Sequence, residues 1–186
     1  MKAALQKAED PIWRATIGLV FFGVPHKGLV VSDMQQMIGK DHPRQELLGQ
    51  ISIKSHLLAD QLANFKNIIE DRKIISFYER QQTGQLKMVS AHLAVHALQR
   101  TPLTITKDSA TQMCRRGNDE FVTSVDEESA LLQFPDNMEV KIPVNANQVT
   151  MVKFDSTGDH IYSSVVEHLK ALETKGLDIV HSRFCM

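Results

Sequence analysis

From Ile17 to Phe22 the residues IGLVFF run without polar alternation, which predicts a strand buried on both faces, as in a parallel sheet covered by helices. Gly23, Pro25 and Gly28 then stop the strand and force a turn that carries His26 and Lys27. Helical spacing follows. Ser32 can cap a helix running to about Ile38, broken by the stretch from Gly39 to Pro43. Between Ile53 and Glu70 the residues Leu58, Leu62, Phe65 and Ile69 make one apolar stripe. RKIISFYER predicts a second strand with Glu79 at its carboxyl end, Val122 to Val125 a short third, and MEVKIPV, from Met138 to Val144, a fourth. Ile161, Val165, Leu169 and Leu172 predict a last helix, opened by Asp155 to Asp159 and closed near Gly176. The opening MKAALQKAEDPIWR predicts a short amphipathic helix ended by Asp10 and Pro11.

Strands alternating with helices predict an α/β fold with a mostly parallel sheet, in which ligands gather at the carboxyl ends of the strands. That rule selects His26 after the first strand, Glu79 at the end of the second, and Asn145, Asn147 and Gln148 after MEVKIPV. Composition bounds the picture without deciding it. The 186 residues suit one domain, and a net charge of −1 gives no global pull toward nucleic acid or an anionic membrane. Cys114 and Cys185 lack metal spacing, so a reduced, cytoplasmic setting is the plain expectation. No stretch approaches the length of a membrane-spanning helix, and the start lacks the apolar core of a signal peptide.

IGLVFFGVPHKG closely resembles the "FFGTPHRG" signature of the lipase-like serine hydrolases of the α/β-hydrolase fold. That family includes serine-active-site-containing lipase-like and GPI inositol-deacylase-like proteins, and it supplies amino-terminal modules to many fungal signalling proteins. Three further blocks are similar: ISFYER to "ISFYET", VDEESALL to "VDxDSALL", and IPVNANQVTMVKFDS to "IPLNADHSxMVKFDS". The likeness spans residues 1–88 and 121–172. Between Val89 and about Gln112 the chain departs from the pattern, as an inserted loop or a retained intron translated in frame, the second preferred, and this part is expected to pack poorly. The resemblance implies a partial α/β-hydrolase domain over residues 1–175, with residues 176–186 as a tail.

It also implies a catalytic serine on a G-x-S-x-G elbow, and this chain contains no such elbow. MKAALQKAEDPIWR is similar to the family's helix after the elbow, so the chain is expected to begin just past the nucleophile, with the first strands and the oxyanion donors outside it. The resemblance places Gln148 where the base histidine stands and Asn147 where the family has aspartate. Glutamine has no pKa near neutrality and cannot carry the serine proton. Glu79 falls at the triad acid. The expected function is therefore a catalytically inactive hydrolase-like fragment kept as a signalling or interaction module, joined to a protein partner or to downstream nucleotide-binding or repeat domains. The alternative is a truncated serine esterase or lipase acting on an ester or lipid.

Each candidate also has a plainer role. His26 reads as a structural residue that ties down turn carbonyls, Lys27 as a solvated turn residue, and Glu79 equally as a partner of Arg80, a loop cap or a vestigial acid. His92 and His96 have the spacing of a helical metal pair but lack a third ligand, so no metal or other cofactor is expected. Basic residues do not cluster with aromatics, which argues against nucleic acid as a partner. The family allows cytosol, mitochondrion or an endoplasmic-reticulum membrane association. A strand as apolar as Ile17 to Phe22 needs a neighbour on each side, and losing one predicts an association-prone edge and marginal stability.

Overall fold

A computed structural model describes residues 11–38, 43–53, 55–69, 72–90, 112–122 and 125–185. Strands β1 (Gly18–Phe22), β2 (Lys73–Glu79) and β5 (Glu139–Val144) form a parallel sheet in the order β1-β2-β5. Between β1 and β2 run α2 (Ser32–Ile38), α3 (Arg44–Ile51) and α4 (His56–Ile68). Ser55 caps α4, its hydroxyl accepting from the Leu58 N–H at 3.4 Å. Strands β3 (Thr83–Ser90) and β4 (Gln112–Val122) make a separate antiparallel pair. The short helix α5 (Glu127–Ala130) precedes β5, and α6 (His160–Phe184) follows it.

The sheet is covered on both faces, which is why five of the seven residues of its central strand, Ser76 and Glu79 among them, are buried. On one face Ile75, Phe77, Val144 and Met151 pack with Val20, Phe22 and, from α6, Ile161, Val165 and Leu172. Phe22 and Phe77 lie in register and stack with centroids 4.7 Å apart. On the other face Ile69, Ile74, Leu132 and Trp13 meet Leu19, Phe21, Leu62 and Phe65. Each fully buried side chain of this size stabilises the fold by about 1.5–3 kcal/mol. A second kind of support is polar. Glu139, 1% exposed, accepts from the Ser76 hydroxyl at 2.7 Å and from the N–H groups of Leu132 and Phe134 at 3.0 Å each, tying the chain before β5 to the sheet.

Two expectations need correction. Pro11 opens a helix, α1 (Pro11–Ala15), and a proline at the first helical position loses only an N–H that has no partner there; the amphipathic helix expected before it lies outside the described residues. The strand expected to reach Val125 is not seen there: Val122 is the last residue of β4, residues 123–124 lie outside the described residues, and Val125 lies in a bend from which its N–H turns toward Glu79. The last helix does not close at Gly176 but continues to Phe184. A Cβ at Gly176 would lie 2.7 Å from Cδ1 of Ile17, so this glycine serves close approach of helix to sheet rather than termination. Residues 1–10 and 91–111, with His92 and His96 and most of the divergent segment, lie outside the described residues, as does His42.

Candidate functional site

Three loops leave the carboxyl ends of the parallel strands, and two of the selected residues meet there. Glu79 is the last residue of β2 and is 6% exposed. Its Oε2 accepts from the backbone N–H of Gln148 at 2.6 Å, and its Oε1 from the backbone N–H of Val125 at 3.2 Å. The carboxylate thus closes two loops onto the strand end through main-chain donors, and the neighbouring Arg80 is exposed. Charge-assisted bonds of this kind are stronger than neutral ones.

Gln148 does not present its side chain to Glu79. Its Nε2 donates to the Gly23 carbonyl at 3.1 Å, while its Oε1 is buried with no hydrogen-bond partner. Gly23 makes that reach feasible: it sits at φ +53, its N–H donates to the Phe77 carbonyl at 2.8 Å, and a Cβ there would fall 2.2 Å from Gln148 Oε1. Asn147 is occupied by its own turn, Oδ1 accepting from the N–H groups of Val149 and Thr150 at 3.0 and 3.1 Å. Asn145 accepts from Gln81 at 3.1 Å on the exposed rim.

His26 lies apart from this pair. Its N–H donates to the carbonyls of Val24 and Ser129, each at 2.9 Å, and its ring stands edge-on to Phe21, centroids 4.9 Å apart, on the face of the sheet opposite Met151. Ser129 binds the rest of the turn, its hydroxyl donating to the Gly28 carbonyl at 2.7 Å and accepting from the Lys27 N–H at 3.2 Å, while Lys27 pairs with Glu128 at 2.9 Å. Burial pulls the His26 pKa down to about 4, against an upward push from Glu139, and Lys66 adds to the depression. The ring is therefore neutral at pH 7, and its Nε2 is buried without a partner.

At the strand ends, then, a carboxylate is held by neutral main-chain donors beside a side chain that does not titrate. Sequence reasoning selected Glu79 and Gln148 but missed Val125 and Ser129, whose roles rest on a backbone N–H and a small hydroxyl that no spacing rule marks. A separate groove of about 380 Å³ runs along α4, lined by Lys27, Ile53, Ala59, Leu62 and Lys66 among others, and excludes Glu79 and Gln148. Among the described residues no three His, Cys, Asp or Glu side chains converge as metal ligands, and no helix is long and apolar enough to cross a membrane. Comparison of the chain with family models, with curated proteins and with solved structures finds no match.

Proposed function

We propose that this chain is an α/β-hydrolase-like domain that does not cleave esters and serves as a signalling or interaction module, with a cytoplasmic setting and a protein partner as parts of the same reading. One observation carries it: Glu79, at the position of a triad acid, is closed off by the main-chain N–H groups of Val125 and Gln148, and the residue beside it is a glutamine. A triad needs an imidazole at that place to move the nucleophile's proton, and removing the base abolishes most of the rate enhancement.

The proximity of Glu79 and Gln148 favours a second reading, in which the chain is the carboxyl-terminal part of an active serine esterase or lipase whose substrate is an ester or lipid. Hydrolysis of p-nitrophenyl butyrate by a full-length protein, one that includes whatever sequence its gene encodes ahead of Met1, separates the two. For an interaction module the rate equals that of buffer, and Gln148→His leaves it there. A saturable rate that Gln148→His raises further favours the esterase.

A further inference from the structure

The groove beside α4 joins an uncharged floor to a cationic wall, and it takes no part in the arrangement at the strand ends. Ala59, Leu62, Ala63 and Lys66 stand at i, i+3, i+4 and i+7 of α4, so they share one face of the helix. Ala59 and Ala63 are exposed and too short to fill that face. They leave a hollow of about 380 Å³ whose larger apolar walls are Leu62 and Ile53, the latter 46% exposed. The two lysines lean the same way. Lys27 reaches Glu128 at 2.9 Å, and the Lys66 ammonium lies 5.5 Å from the centre of the Phe134 ring; Glu128 and Phe134 belong to one short stretch before β5. Lys66 also helps depress the His26 pKa, which puts its charge near the turn that carries Lys27. No acidic side chain lines the groove among the described residues. The partners of Lys27 and Glu128 are 28% and 73% exposed, so this pair exchanges readily for another carboxylate, and Lys66 forms no ion pair among the described residues.

We propose that this groove docks a short acidic segment of a partner protein, with a leucine-sized side chain on the alanine floor and a neighbouring carboxylate held by Lys27 and Lys66. The proposal rests on the reading of the domain as an interaction module and names the chemistry of its partner. Charge complementarity selects the acid. A neutral apolar segment desolvates both ammonium groups for no return, whereas a carboxylate accepts charge-assisted bonds from them. The volume, at the low end for ligand sites, suits a side chain or two and not the broad face of a domain. A membrane is the poorer match, because a lipid surface does not enter a concave site and calls for a cluster of basic residues where this groove supplies Lys27 and Lys66 alone among the described residues.

Selection from a random-peptide phage library on the full-length protein, followed by fluorescence anisotropy with the enriched peptides, tests it. The enriched peptides carry Asp or Glu close to Leu, Ile or Phe, and exchanging that acid for Lys abolishes binding. Lys66→Glu raises their Kd about tenfold or more, Lys66→Gln raises it less, and the Lys-substituted peptide binds Lys66→Glu in preference to the parent protein. Ala63→Trp fills the floor from an exposed position and removes binding of every enriched peptide. Far-ultraviolet dichroism equal to the parent's shows that a variant is folded; if Lys66→Glu is not, Lys66→Gln and Ala63→Trp decide. A library that yields no enriched sequence, peptides without a preference for acid, peptides that bind Lys66→Glu as tightly as the parent, or displacement of the peptides by phosphatidylserine vesicles each overturns the proposal. Ester hydrolysis by the same protein sinks the module reading and leaves a selected acidic peptide standing, so the two failures are told apart.

Discussion

His26 is one residue through which pH reaches this fold. Burial holds its pKa near 4 against an ordinary value of 6.5, so between those values the unfolded chain takes up a proton that the folded chain refuses. The stability linked to the neutral ring is fully present above pH 6.5 and is lost as pH falls toward 4, a change of at most about 3 kcal/mol. His26→Phe keeps the edge contact with Phe21 and cannot titrate. Urea unfolding between pH 6.5 and 4 therefore shows a shallower loss for the variant than for the parent chain, and parallel curves contradict the assignment. Glu139 is a second residue with a strong claim on stability, since its two oxygens serve Ser76, Leu132 and Phe134. Glu139→Gln turns one acceptor into a donor facing N–H or O–H groups and costs about 2–3 kcal/mol, read from the denaturation midpoint.

At the scale of elements, legibility followed the simplicity of the signal. The unbroken IGLVFF and KIISF, the stripe of α4 and the Ser32 helix start were readable because burial on both faces or on one stripe leaves a clear pattern. The β3 and β4 pair was not expected, because TGQLKMVS and QMCRRGNDEFV are too polar to stand out as strands. Gly176 misled because glycine is a helix breaker by composition, whereas here its missing Cβ lets the helix approach Ile17. The candidate site was half legible. Strand ends gave Glu79 and the following loop, but Val125 acts through its main chain, which leaves no mark in the sequence. The outer edge of β5, where Pro143 offers no N–H, provides a test at this scale. Pro143→Val restores an outward N–H without touching the β2 ladder, so it changes unfolding free energy by less than about 0.5 kcal/mol while light scattering reports larger assemblies.

For the whole molecule, a net charge of −1 gives little long-range repulsion between copies. The account of function rests on a different property, the lack of an activated nucleophile beside Glu79 and Gln148. A fluorophosphonate probe followed by intact mass measurement reads that property without any choice of substrate. The account predicts that the full chain keeps its unmodified mass, as does its heat-denatured control. A single stoichiometric adduct on a serine, formed by the folded chain and not by the denatured one, would contradict it.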